Sequence, residues 1–552
     1  MALSTPRYDA SSVDIWALGI TIVVGGQYFS WNTGLVAGFY SYLGATGLMG
    51  FAYCCMTLCL AEISSALPFA GGAYGIARCS LGFYLGFMMG CCETLEYIAY
   101  VASSVLMLGK MVTTMLPDME PLQPAIWLLV YATALGVHLV GGIIFWRVNR
   151  ILAFVSLVII AVYVLGCFSL NTTDLTAFSS ERHAFDAHQF LRVLPTTAWF
   201  FVGIESLNLA SDDATLPRRV VPRGQLACMA TLLFSGILVL VASSFVAPGD
   251  VALQDDTVPF NNGFMKMFSI SASTATLLSL PATFATIFGF IYSYSKLTIA
   301  IAGSQLLPPI FLQTWFPHRV HGPALVLTSS VGYGVCLVTY FVPSIGDSLF
   351  SVCICSAFCA YIAQCIGFIY LRLSFPHIER QYTSPLGLYG AVLPLLVWLL
   401  NLVSIAGFQN DGQRAFLAFL GMWAVFSVYY FAYAKARQTF SDDERKILFV
   451  AHIAIFNKAR ASNKNQRKKT SDRPSIASKR TSRAGTTTTT KSTKTTTEMV
   501  SSKSGDVIPI TPELRRKSSA IPPSTRRKSS AVTVMIVPVG GAKGPAREID
   551  GR

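Results

Sequence analysis

The sequence predicts an all-α integral membrane protein of twelve transmembrane helices, and three observations carry that prediction. Only 13% of the 552 residues are charged while 53% are hydrophobic; a soluble domain is typically about 25% charged, so a water-facing surface of this size could not be covered. Twelve apolar runs approach the length of about 20 residues that a helix needs to cross a bilayer. The charge is also segregated: residues 1–430 hold 16 Lys+Arg against 19 Asp+Glu, and residues 431–552 hold 26 against 9. A nearly neutral body therefore precedes a strongly basic tail, and the net charge of +14 gives no reason to expect a nucleic-acid partner. These counts exclude a soluble enzyme, a secreted disulfide scaffold and a mostly disordered chain as the overall class.

A short segment, 1–14, leads into the body. The spans read 15–38, 44–66, 81–109, 123–145, 149–170, 194–211, 225–247, 274–303, 323–343, 347–373, 386–408 and 413–436. Span 1 is too long for a cleaved signal peptide and lacks a charged n-region. With the N-terminus inside, the inner loops carry Arg7, Arg78, Arg147, Arg150, Arg218, Arg219, Arg223, Arg319, Arg372 and Arg380, and the outer loops Lys110, Arg182, Arg192, Lys266 and Arg414. That bias, with the basic tail on the same side, puts both termini in the cytosol, and the plasma membrane is the expected location. The sequon at Asn171 then falls in an outer loop, where a glycan could be added.

After span 12, Ser441-Asp442-Asp443-Glu444 has the capping-box pattern. Residues 437–460 read either as an amphipathic helix on the inner membrane face or as a frayed end of span 12. Residues 461–552, rich in Ser, Thr, Lys and Arg, cannot bury a core and are expected to be disordered. Two near-repeats there, Arg515-Arg516-Lys517-Ser518-Ser519 and Arg526-Arg527-Lys528-Ser529-Ser530, suit a protein kinase that reads basic substrates. Phosphate on Ser518 or Ser529 would weaken attachment of the tail to anionic lipid; the alternative is a merely solvated tail. The 13 cysteines lie in apolar runs, with no disulfide framework and no metal-ligand spacing, so no metal and no resident cofactor are expected.

Two spans are interrupted at matching positions, five spans apart. Span 1 contains Gly25-Gly26-Gln27-Tyr28, and span 6 contains Trp199-Phe200-Phe201-Val202-Gly203-Ile204-Glu205. Interrupted helices at equivalent places in two halves mark the central site of a secondary transporter. Glycine lets the helix unwind, and the freed backbone groups can bind a polar ligand only where they line a cavity. Taken alone, Gly25-Gly26 would read as ordinary close helix packing. Ionisable residues within spans are costly and so are functional candidates. Glu205, directly after a flexible glycine and beside aromatics, is the leading one; its carboxylate could hold an ammonium group or titrate a proton. Glu96 is second, and one of Glu93 and Glu96 could instead bond a neighbouring helix. Glu62 ends span 2, Lys296 is expected to snorkel to the inner interface, and His138 is expected to be packed.

The stretches Gly26 to Asn32 with Gly34, Ala61 to Pro68 with Gly71-Gly72-Ala73-Tyr74 and Ala77-Arg78, Phe201 to Glu205 with Asp212-Asp213 and Val221-Pro222-Arg223-Gly224, and Tyr292 to Lys296 with Leu307-Pro308 occur in one order. Together they resemble the amino acid–polyamine–organocation (APC) transporters, and within them bacterial ethanolamine permeases. The resemblance implies a five-plus-five inverted repeat with two extra helices, broken helices 1 and 6, and alternating access around a site between them. It matches Glu205 to a glutamate linked to pH sensing and gating in acid-resistance antiporters, and Trp199 to an aromatic that closes over substrate. It departs where Ser156 stands in place of a span-5 lysine found in many proton-coupled members.

The expectation is a secondary active transporter of a small amine or amino acid, ethanolamine first, coupled to a proton or sodium. Gly25, Gly26, Gln27, Tyr28, Glu96, Trp199, Phe200, Gly203 and Glu205 are its expected substrate-binding residues. The alternatives are an amino acid permease of the same superfamily, a non-transporting nutrient receptor that signals through its tail, and, more weakly, a channel.

Overall fold

The computed structural model describes residues 8–170, 185–244, 246, 253–315, 320–409, 411–441 and 444–445. Asn171, Ser518, Ser529 and nearly all of the segment after residue 441 lie outside them. The described residues are helical, without a β-strand, and ten helices are long and apolar enough to cross a membrane. An eleventh candidate is the bent pair Ser12–Gln27 and Trp31–Ala37, which turns by 46°.

Span 1 starts as the α-helix Ser12–Val23 and tightens into a 3₁₀ turn, Val24–Gln27, at the expected glycines. Ser11 and Asp14 cap its start reciprocally. The continuous spans that follow are Phe39–Ala66 (span 2), Phe83–Met115 (3), Gln123–Val140 (4), Gly142–Ser169 (5), Pro217–Ser244 (7), Leu280–Gly303 (8), Gly322–Phe341 (9), Pro343–Ser374 (10), Tyr389–Gly407 (11) and Arg414–Tyr429 (12). A short helix, Gly72–Ser80, joins spans 2 and 3.

The stretch 194–211 is interrupted, as expected: it folds as two 3₁₀ segments, Leu194–Phe200 and Ile204–Asp213, about Gly203. Its second half carries Glu205, Ser206, Asn208, Ser211, Asp212 and Asp213, too polar for a lipid-facing helix, so it is not among the ten helices, or eleven with the bent pair, that length and apolarity alone select. One expectation needs correction. The boundary between spans 4 and 5 lies at Gly141-Gly142, not near Arg147. Both glycines have positive φ, +63° and +55°, which lets the chain reverse without a polar loop.

The packing has the symmetry of an inverted repeat. Span 2 lies along span 7, span 3 along span 8, span 4 against span 9, and broken span 1 meets broken stretch 6. Cross-contacts come in mates: 1 with 7 and 6 with 2, 3 with 10 and 8 with 5, 3 with 9 and 8 with 4. Advancing every span by five maps these contacts onto themselves. Because five is odd, the second half runs through the membrane in the opposite sense. Spans 11 and 12 are additions outside that scheme and pack on span 10.

Candidate functional site

The two interruptions cross in the middle of the fold. Gly25 donates its N–H to Thr286 Oγ1 of span 8 at 2.8 Å. Gly26 lies against the Trp199 carbonyl so closely that a β-carbon would collide with that backbone oxygen. Gly203 has φ +101°, and a β-carbon there would also run into Ile22 and Phe290. Gly203→Ala is therefore expected to cost about 1–3 kcal/mol of backbone strain before any clash. A lowered thermal midpoint of the purified protein would show it.

Glu205 lies two residues beyond that glycine and is fully buried. Its Oε2 accepts the Gly203 N–H at 3.0 Å. Glu96, also fully buried, accepts the Tyr361 hydroxyl on Oε1 at 2.8 Å. The two carboxyl groups neighbour one another, with Tyr97 and Tyr361 beside Glu205. Glu205 Oε1, Glu96 Oε2, Tyr53 Oη and Tyr100 Oη are buried and have no hydrogen-bond partner. Buried polar atoms are nearly always paired, so two carboxyl groups that neighbour one another with an acceptor oxygen each to spare call for donors, from a proton shared between them or from a ligand.

Aromatic rings wall this cluster. Tyr100 stacks on Phe290 at 5.2 Å and meets the edge of Trp199 at 5.1 Å. Trp199 stacks on Phe350 at 4.8 Å. Tyr53 packs against Phe201, Tyr361 and Trp398.

Of the expected residues, the structure brings Glu96, Glu205, Gly203 and Trp199 together, with Gly26 against the Trp199 backbone and Gly25 against Thr286. Gln27 is turned to span 7, where Nε2 donates to Leu232 O at 3.0 Å and Oε1 accepts from Ser235 at 2.8 Å. Tyr28 donates its hydroxyl to Ser156 O at 2.5 Å and packs on Phe260. Phe200 packs on Trp31. Glu93 is the carboxylate spent on structure: it accepts the N–H groups of Ala73 and Tyr74 at the start of helix Gly72–Ser80 and the Tyr97 hydroxyl. His138 is packed between Phe145 and Phe288, as expected. Tyr53, Tyr361, Phe290 and Phe350 were not singled out by sequence; an aromatic in an apolar span carries no mark of its role.

A second set of groups lies where spans 1 and 5 begin and spans 2, 6, 8 and 10 end, the face bearing Arg78, Arg147, Arg150 and Arg372. Asp14 of span 1 pairs with Arg150 of span 5 at 3.1 Å. Glu62 of span 2 pairs with Arg372 and Arg380 at 2.6 and 3.0 Å. Asp213 pairs with Lys296 of span 8 at 2.8 Å and accepts the Tyr292 hydroxyl. Lys296 is thus held in an ion pair rather than snorkelling to the interface. The segment before span 1 joins the same face: Ala10 N–H donates to Asp213 O, and Asp9 accepts the Thr215 N–H at 2.6 Å. The Thr215 hydroxyl and N–H hold the Asp9 carboxyl below its usual range.

A family model described as amino acid permease matches residues 11–428. An uncharacterized transporter of Rhizobium meliloti is 23% identical over 442 residues, covering 76% of this chain and 91% of its own. The methylthioribose transporter of Bacillus subtilis is 21% identical, covering 77% and 93%. A branched-chain amino acid permease of Lactococcus lactis is 24% identical, covering 53% and 68%.

Proposed function

The chain belongs to the amino acid permease family of the APC superfamily, and from that premise we propose that it moves a small primary amine, ethanolamine first, by alternating access. As a member it is an integral membrane transporter of amino acids or amines, not an enzyme. The observation that carries the amine reading is the pair of buried carboxyl groups, Glu96 and Glu205, each with one oxygen open. An ammonium brings three N–H donors and one positive charge to those acceptors. Ethanolamine has no carboxylate of its own. A neutral amino acid would set a third carboxylate beside two.

In this reading Trp199 and Phe350 cover the ammonium, and the backbone at Gly25, Gly26 and Gly203 takes the hydroxyl. Gln27, Tyr28 and Phe200 act from behind, by fixing the broken stretches to spans 7 and 5. Spans 1, 2 and 6 rock against spans 5, 8 and 10, and the three ion pairs between these two sets close the basic face, which is cytosolic. The plasma membrane is the proposed location, with the basic tail held by anionic lipid and released by phosphate on Ser518 or Ser529.

The test is uptake of labelled ethanolamine by proteoliposomes containing the full chain, with Glu205→Gln beside the parent. Saturable uptake, poorly competed by amino acids and reduced at least about 100-fold in Glu205→Gln, is the expected result; losing one charge-assisted contact to a buried group costs about 3 kcal/mol. The similarity to the Lactococcus permease favours a second reading, an amino acid permease, which competition by branched-chain amino acids would support. Binding without flux would indicate a receptor.

A further inference from the structure

The carboxyl pair also bears on what is exchanged for the substrate. Glu96 comes from span 3 and Glu205 from broken stretch 6, so the pair spans the boundary between the half of the fold that carries span 6 and the half that carries span 3. Both side chains are fully buried. Each carboxyl uses one oxygen on a protein donor, Tyr361 for Glu96 and the Gly203 N–H for Glu205, and leaves the other open. The surrounding groups are phenols and rings, Tyr53, Tyr97, Tyr100, Trp199 and Phe290, with the Cys353 thiol against the Glu96 backbone. A third buried carboxyl, Glu93, accepts the Ala73 and Tyr74 N–H groups and the Tyr97 hydroxyl and so is already held. The basic side chain on span 8, Lys296, is occupied at the basic face by Asp213.

Two adjacent carboxylates in such surroundings cannot both stay ionised without a cation, because like charges at this spacing repel and neither is solvated. Neither carboxyl is solvated or has a cation beside it, so each carries a proton until a cation arrives, and each arriving ammonium charge makes one of those protons unnecessary. We propose that the Glu96–Glu205 pair is a proton-exchange site, in which each ammonium charge that binds releases one proton to water. This rests on the amine reading above and goes further, since it names the coupling ion and the direction of the exchange.

The step balances. A carboxylic acid of the pair gives up its O–H proton to water on the open side. The carboxylate left behind accepts an N–H of the substrate's ammonium group, and the charge of the site is unchanged. When the amine leaves on the other side, the carboxylate takes a proton from water there. Amine and proton therefore move in opposite directions, and no net charge crosses. For a monoamine, one carboxyl keeps its proton and donates to the substrate's hydroxyl, which is the part of ethanolamine left over once the ammonium is satisfied. A diamine would use both carboxylates and release both protons. The pair thus also sets a class: cations of one or two amino groups, and not zwitterions.

The experiment is titration calorimetry of ethanolamine into the purified full chain, at one pH, in two buffers of different ionisation enthalpy, which counts protons released on binding. About one proton per ethanolamine bound is expected for the parent. Glu96→Gln and Glu205→Gln each keep one titrating carboxyl, so whichever still binds still releases about one. The Glu96→Gln/Glu205→Gln double variant releases none.

A second measurement needs no variant. In proteoliposomes, an inside-acid gradient of one pH unit should drive saturable ethanolamine uptake, at an initial rate well above the passive entry of free base into protein-free liposomes, toward about tenfold accumulation, abolished by nigericin and unchanged by a valinomycin potential. Heats independent of the buffer, or accumulation that follows an inside-negative potential and ignores pH, would overturn the exchange while leaving an amine transporter. Binding of leucine with none of ethanolamine would instead overturn the amine reading, and this proposal with it.

Discussion

Glu62→Gln is expected to open the basic face. Glu62 is fully buried at the end of span 2 and is held from span 10 and the loop after it. Arg372 donates from Nε at 2.9 Å and from Nη2 at 2.6 Å, and the Ser384 N–H donates at 2.8 Å. Arg380 approaches at 3.0 Å but off the hydrogen-bond direction, so it contributes charge more than geometry. Arg372 in turn donates to Ser384 O and lies over Phe368.

Removing the one anion leaves two guanidinium groups in a site shaped for it. Breaking a buried pair costs about 3–5 kcal/mol, and the low end applies because Arg372 is 22% exposed and can turn partly to water. Some of that loss lowers the stability of the whole fold, read as a lower thermal midpoint. The rest lowers only the state in which spans 2 and 10 are joined. Cys59, one turn before Glu62, and Cys365 on span 10 are both buried in this state. Peptide mapping after treatment with a membrane-impermeant maleimide should find both protected in the parent and alkylated in Glu62→Gln. A double-mutant cycle with Arg372→Gln should return a coupling well above that of a surface pair. If labelling and thermal midpoint both stayed at the parent values, the pair would not be what closes this face.

The parts of this machine that could be read from sequence are those with a signature of residue type and spacing. Gly25-Gly26 and Gly203 announced the breaks only together: each alone would read as close helix packing, but they lie five spans apart, at equivalent places in the two halves. Ser441 and Glu444 announced a cap by their spacing, and Ser441 N–H does donate to Glu444 Oε2 at 2.8 Å. The boundary at Gly141-Gly142 was hidden because apolar residues continue on both sides and nothing polar marks the turn. The identity of the carboxylate beside Glu205 was hidden for another reason. In a span apolar on every side, lipid and protein interior look alike, so no periodicity tells which face of span 3 turns inward. Glu93 and Glu96 are one turn apart, and only the fold shows that one serves helix Gly72–Ser80 and the other faces Tyr361. Glu62 and Arg372 lie 310 residues apart, a pairing no local pattern encodes.

Glu444→Ala is expected to be the other costly change, and it lies in the segment 437–460, which the sequence reads as an amphipathic helix on the membrane face or a frayed end of span 12. Glu444 and Arg78 are each 2% exposed and pair at 3.2 Å. Around them, Arg78 donates to Tyr74 Oη at 2.6 Å and to Thr439 O at 3.1 Å, and lies over the rings of Phe83 and Phe440. Glu444 Oε2 accepts Ser304 Oγ at 2.8 Å, and the Thr439 N–H donates to Ser304 O at 2.9 Å. The chain after span 12 thus clasps the end of span 8 and the helix that joins spans 2 and 3, instead of lying on the lipid surface at this point. Removal of Glu444 leaves Arg78 buried with only neutral acceptors, at about 3–5 kcal/mol. Replacing both residues with apolar ones of similar size, Arg78→Met with Glu444→Leu, should recover most of that loss, since a buried pair contributes little over good packing. The two variants separate two roles. If the apolar pair restores both the thermal midpoint and ethanolamine uptake, the clasp is structural. If it restores the midpoint but leaves uptake altered, the charge pair itself sets how readily the basic face opens, and the tail acts on transport through residues 439–445.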